Sequence, residues 1–169
     1  MSLERQYCTF HLDTLFLGIE VLQVQEVLRL QPITRVPLAP RAVRGLINLR
    51  GQIVTAVDLR ARLGLPPLAE GRVPMNVVIR TDEGAVSLLV DEIGDVLDIA
   101  ESHYESLPDT VCPEARELIR GVYKLPGRLL LILDTERALS MEPAGATGRY
   151  GLPGGPQQEH APSPTVPHR

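Results

Sequence analysis

GLINLRGQIVTAVDLRARL (45–63) and GVYKLPGRLLLILDTERAL (121–139) are one segment met twice in the same chain. Laid over each other without gaps, they share Gly45/Gly121, Leu49/Leu125, Gly51/Gly127, Asp58/Asp134 and Leu63/Leu139, and between the second glycine and the aspartate both run apolar. The match continues upstream at a slightly shorter offset. YCTFHLDTLFLGIEV (7–21) falls on NVVIRTDEGAVSLLV (76–90), and Glu26-Val27-Leu28 on Asp95-Val96-Leu97. Self-similarity over such a length means two copies of one supersecondary unit, at about 6–65 and 75–141. What both copies keep serves folding, and what one copy alone carries is a candidate for function. Arg50, opposite Pro126, is the clearest residue of the second kind.

The repeated segment reads as two strands, 45–49 and 52–57, joined by Arg50-Gly51, a connection short enough to demand a tight hairpin. Asp58 and Asp134 then stand at the N-cap of short helices over 59–63 and 135–139, where a carboxylate accepts from an orphan backbone N–H and opposes the helix dipole. Upstream, 6–12 alternates as a strand, Asp13-Thr14 supplies a turn, and 15–19 returns; Val77–Arg80 and Ala85–Val90 repeat that hairpin. A single helical turn near 21–25 leading into a strand is expected in both copies, because the second copy carries a central Gly94 and then alternates. Residues 64–74 link the halves. Short strands at close spacing suggest small barrels. A half of about 60 residues buries too little surface to be comfortable alone, so the two are expected to share a core.

The totals describe an ordinary globular chain: 169 residues, 44% hydrophobic, 22% charged, net charge −4. No apolar run approaches a membrane span, and MSLERQYCTF lacks a signal-peptide core, so a cytoplasmic protein without direct membrane insertion is expected. Cys8 and Cys112 form neither a CxxC nor a Cys/His cluster, which argues against a disulfide or a metal site. Residues 1–70 carry eight Arg against six carboxylates, while 71–169 carry nine Lys+Arg against fifteen, a polarity suited to docking two different protein surfaces. Nucleic acid fits poorly: the chain is acidic, has no Trp, and offers only six Phe and Tyr for stacking. From 143 the composition breaks, with six Pro and five Gly in the last 27 residues, and 143–169 reads as a disordered tail after a single domain over 1–142.

No P-loop, GxSxG, HExxH or glycine-rich dinucleotide fingerprint occurs, and the four histidines are isolated, so an enzyme has little support and no cofactor is implied. The acidic set Asp91, Glu92, Asp95 and Asp98 lacks Ca²⁺-loop spacing and reads as a solvated face. Arg50 admits two readings. One is a solvated hairpin arginine. The other is a functional residue, because a two-residue hairpin prefers Asn-Gly or Gly-rich pairs and turn chemistry does not explain an arginine. Glu26 is a second candidate, although its counterpart Asp95 keeps the acid.

These residues also carry a resemblance. Gln6-Tyr7-x-x-Phe10, Leu17-Gly18-Ile19, Val24-Gln25-Glu26-Val27, Arg35-Val36-Pro37, Gly45-Leu46-Ile47-Asn48-Leu49-Arg50-Gly51 and Val57-Asp58-Leu59-Arg60 resemble the CheW family over about 6–141. The resemblance implies an all-β fold of two five-stranded SH3-like barrel subdomains around a shared core, with short capping helices and no catalytic activity. It implies an adaptor between chemoreceptors and a CheA-type histidine kinase, with a groove for a receptor's cytoplasmic tip and separate surfaces for the kinase's regulatory domain. Its receptor-contact positions fall on Val24, Glu26, Arg50, Ile93 and Val96, and its glutamate–arginine pair on Glu26 and Arg50. A coupling protein of a non-flagellar pathway, such as pilus motility, satisfies the same residues. An SH3-like nucleic-acid-binding module is the alternative from another class.

Overall fold

The computed structural model describes residues 3–111 and 113–140; the tail reading of 143–169 and Cys112 lie outside them. The first copy runs β1 (Glu4–Leu12), β2 (Leu15–Glu20), a 3₁₀ turn (Val21–Gln23), β3 (Val24–Arg29), β4 (Val43–Leu49), β5 (Gln52–Asp58) and α1 (Leu59–Arg62). The second runs β6 (Met75–Thr81), β7 (Gly84–Val90), β8 (Glu92–Ala100), a 3₁₀ turn (Glu101–His103), β9 (Tyr104–Glu105), α2 (Pro113–Leu118), β10 (Ile119–Leu125), β11 (Arg128–Leu133) and α3 (Thr135–Leu139). One expectation fails here. The helical turn before β3 has no counterpart before β8, which starts at Glu92 because Glu92 already pairs with His11 of β1.

The strands form two sheets with matching orders, β3-β6-β7-β5-β4 and β8-β1-β2-β11-β10-β9. Each sheet therefore takes its central hairpin from the other copy. β1–β2 sits among the strands of the second half, and β6–β7 among those of the first. A barrel is thus not one sequence half but three strands of the first half, or four of the second, around an exchanged hairpin of the other. The joins are equivalent too: β5 runs parallel to β7, and β11 parallel to β2. The ring ends meet through short pieces of chain, a Thr34–Leu46 bridge in one barrel and β9 against β10 in the other.

Exchange explains why the hairpin strands are buried on both faces. Phe10 and Leu12 of β1 and Val77 and Ile79 of β6 enter one core shared by the barrels, together with Leu17, Ile19, Val57, Leu88, Val90 and Leu133. The alternate residues fill the barrel interiors, Tyr7 with Tyr123, Leu130 and Ile132 in one, and Val78 with Ile47, Val54 and Ala56 in the other. Burial of this extent is the main favourable term in folding, and it can be built only by both halves together.

Gly45 marks the closing bridge of the five-stranded barrel. Its φ is 149°, and a Cβ there would lie 2.1 Å from the Thr34 carbonyl oxygen that accepts from Leu46 N. Gly45→Ala is expected to cost about 2–5 kcal/mol, combining backbone strain with overpacking against a main-chain atom. A urea titration measures this, and a loss under about 1 kcal/mol would show that the closure tolerates a side chain.

Candidate functional site

The β4–β5 hairpin turns on two residues, Leu49 pairing with Gln52 across Arg50-Gly51. Both turn residues have positive φ, 52° for Arg50 and 87° for Gly51, the type I′ geometry that matches strand twist. Asn48 Oδ1 accepts from Gly51 N at 2.9 Å and fixes the turn. In the second copy only Gly127 of the corresponding Pro126-Gly127 pair has positive φ. An arginine forced left-handed costs on the order of 1 kcal/mol relative to glycine, so local stability does not account for it.

Arg50 Nη2 donates to Glu26 Oε2 at 3.0 Å; the Arg50 side chain is 81% exposed, the Glu26 side chain 19%. The two come from opposite ends of the strand order, β3 and the β4–β5 turn, and meet because the barrel closes. The glutamate is thus a half-buried anchor that aims an otherwise free guanidinium at solvent. As a stabilising element the pair is worth little, commonly under about 1 kcal/mol for exposed charges.

Val24 precedes Glu26 on the same half-buried alternation of β3 and packs against the shared core. Ile93 is its counterpart in β8 and packs against that core as well. Val24 pairs with Ile79 and Ile93 with Phe10, both core residues, so these two lie at the margin of the junction between barrels. Val96 differs: it is 56% exposed, on β8 opposite Cys8. The structure therefore brings Glu26 and Arg50 into contact, packs Val24 and Ile93 against the shared core, and presents Val96 to solvent.

Asp58 accepts from Arg60 N at 3.0 Å and Ala61 N at 3.4 Å, and also from Arg44 Nε at 3.1 Å. Asp134 accepts from Arg137 N at 3.1 Å. Among the described residues no group of three or more His, Cys, Asp or Glu is placed to hold a metal ion, and no helix is long and apolar enough to cross a membrane.

Asp91 is the correction to the acidic-face reading. Glu92, Asp95 and Asp98 are exposed, but Asp91 is buried and takes a bidentate bond from Arg60, Nε to Oδ1 at 2.8 Å and Nη2 to Oδ2 at 2.7 Å. The Asp13 amide donates to Asp91 Oδ2, and Arg60 Nη1 donates to the Pro66 carbonyl of the linker. This cluster ties α1, the β1–β2 turn, the linker and the start of β8 together between the barrels. Burial alone would raise the Asp91 carboxyl, but the Arg60 hydrogen bonds and then the Asp13 amide outweigh it and hold it below its ordinary value. The internal repeat held the signal, since Arg60 is opposite Glu136 and Asp91 opposite Leu22.

Comparison with known proteins places this arrangement. A family model described as a CheW-like domain matches residues 6–142. The chemotaxis protein CheW of Bacillus subtilis is 36% identical over 125 residues, 74% of this chain and 80% of that protein. That of Thermotoga maritima is 31% identical over 136 residues, 80% of this chain and 88% of that protein. The crystal structure of the scaffolding protein TtCheW from Thermoanaerobacter tengcongensis superposes with a TM-score of 0.71 at 25% identity, covering 78% of this chain and 89% of that one.

Proposed function

The chain belongs to the CheW-like domain family, and from that premise we propose that it couples chemoreceptors to a CheA-type histidine kinase as a non-enzymatic scaffold in the cytoplasm, within receptor arrays at the inner face of the membrane. One observation supports this reading above the others. Arg50 sits in a strained turn with its charge held outward by Glu26, an arrangement that costs local stability and leaves the guanidinium open to a partner. The proposed receptor groove takes Arg50 and Glu26 as its polar end, Val24 and Ile93 as its apolar floor and Val96 as an exposed contact, a combination suited to the apolar face of a helical hairpin. The kinase's regulatory domain takes a separate surface.

Val96 gives the cleanest test of the groove, because it is exposed and its replacement removes no core packing. Val24 and Ile93 pack on the shared core, so truncation there mixes folding with binding. Val96→Asp is expected to lower affinity for a receptor cytoplasmic tip at least tenfold, about 1.4 kcal/mol, and to leave binding of the kinase regulatory domain within twofold. Co-sedimentation with receptor tip and titration with the kinase domain, on samples with identical circular dichroism, read both. Normal receptor binding by Val96→Asp would remove β8 from the groove.

A further inference from the structure

The mouth of the six-stranded barrel holds a cavity of about 310 Å³ lined by none of the residues proposed for receptor contact. Three tyrosines line it. Tyr7 and Tyr123 are almost fully buried, while Tyr104 is 44% exposed. The Tyr104 ring sits edge-on to Tyr123, 5.4 Å between centroids, and is held by its hydroxyl donating to the Arg120 carbonyl at 2.7 Å. Gly121 makes room for that ring, since a Cβ there would lie 2.2 Å from it. The hydroxyls of Tyr7 and Tyr123 are 3.1 Å apart. Each has one proton to give and the bond between them uses one, so one nearly buried phenol retains a donor with no acceptor among the described residues.

The rim is charged and balanced. Arg5 donates to Glu20 Oε1 at 2.6 Å and to Glu101 Oε1, while the Oε2 atoms of both carboxylates have no hydrogen-bond partner among the described residues. Arg120 is the fourth charge at this opening. An aromatic floor, a spare phenolic donor for a peptide carbonyl and two free carboxylate oxygens for a guanidinium make up the chemistry that receives a proline-rich strand followed by an arginine. Preformed polyproline II ligands of PxxP type dock against aromatic-lined grooves in this way.

Such a strand lies in this chain. Pro164-Thr165-Val166-Pro167-His168-Arg169 has prolines three apart and an arginine two beyond the second. Residues 141–161 connect the stretch from Pro162 onward to α3, and extended chain of that length spans up to roughly 70 Å, well beyond the roughly 40 Å breadth of a folded unit of this size. We propose that the tyrosine-lined mouth of the six-stranded barrel is a polyproline II binding site and that the chain's own segment 162–169, PSPTVPHR, is its occupant. The prolines pack on the exposed Tyr104 ring, the spare phenol bonds a peptide carbonyl, and Arg169 takes the free oxygens of Glu20 and Glu101.

A tethered ligand is presented at an effective concentration on the order of millimolar, so a free copy competes poorly with it. The test titrates the synthetic peptide APSPTVPHR, residues 161–169, into isotopically labelled full-length protein and into full-length Pro164→Ala/Pro167→Ala, whose changes lie outside the barrels. The peptide is expected to bind the double variant at least tenfold more tightly than wild type, moving the amide resonances of Glu20, Glu101 and Tyr104. Without peptide, those resonances should differ between wild type and variant at every protein concentration. Equal peptide affinity for both proteins overturns the occupant, as does a difference that appears only at high concentration, which would place the segment on a second copy. No change at these resonances in either protein overturns the site.

Discussion

Arg50→Glu is expected to weaken binding to a chemoreceptor tip by roughly 2–5 kcal/mol, at least about thirtyfold, while moving the unfolding free energy by less than about 1 kcal/mol. The asymmetry follows from geometry. Among the described residues the guanidinium bonds only to Glu26, and the side chain is 81% exposed, so folding loses one exposed ion pair while the interface loses, and then repels, a docking charge. Arg50→Gly sharpens the contrast. It relieves the left-handed strain and should leave stability unchanged or up to about 1 kcal/mol higher, yet it should bind as poorly as any variant lacking the charge. Glu26→Arg with Arg50→Glu restores the pair within the protein but presents the opposite sign outward, and should not restore binding. Circular dichroism, urea unfolding and receptor binding on the same samples decide the matter. Unfolded variants, or normal receptor affinity, would leave Arg50 as a turn residue only.

Arg60→Ala is expected to produce the largest loss of stability, about 3–5 kcal/mol, because it leaves the Asp91 carboxylate buried without its cation. Replacing both partners with apolar residues, Arg60→Met and Asp91→Leu, should recover much of that loss, since the cost comes from the orphaned charge. The pH dependence has a definite sign. The folded-state Asp91 carboxyl is held below its ordinary value of 3.8, so the unfolded chain binds this proton more readily. The stabilisation is fully present above about pH 3.8 and is lost as pH falls through the lower folded value. Asp91→Asn should accordingly lose less stability between pH 4 and pH 2 than wild type does. Parallel acid limbs for the two proteins, or a loss under about 1 kcal/mol for Arg60→Ala, would mean that the buried pair does not latch the barrels.

Much of the fold was legible because the chain states it twice. The β4–β5 turn, the helix starts after Asp58 and Asp134, and the pairing of β1 with β2 all rest on local signals: a two-residue connection, a capping carboxylate and strand alternation. The exchange of hairpins was not legible. Alternation in 6–12, and the hairpin it shares with 77–80 and 85–90, shows which residues share a face, and those faces are the same whether the hairpin sits in its own half or in the other. Asp91 was misread for a related reason. Its neighbours Glu92, Asp95 and Asp98 are solvated, and its burial depends on Arg60, a helix residue from the other copy. The helical turn expected before β8 fails because long-range pairing of Glu92 with His11 overrides a weak local preference. In the candidate site, the single-copy arginine drew attention to Arg50 from the sequence. Its contact with Glu26 follows from the resemblance, which pairs the two, and from no local pattern, because it needs barrel closure.

The proposed scaffold role requires receptor and kinase to be held at once, so neither partner should exclude the other, and their affinities should be independent or mutually favourable. The most direct measurement immobilises a receptor cytoplasmic tip, loads the protein, and then adds the kinase's regulatory domain. A ternary complex is expected, with the protein retained on the receptor and the kinase domain recruited through it, and with recruitment abolished when Arg50→Glu prevents loading. Release of the protein from the receptor as the kinase domain is added would contradict the bridging role.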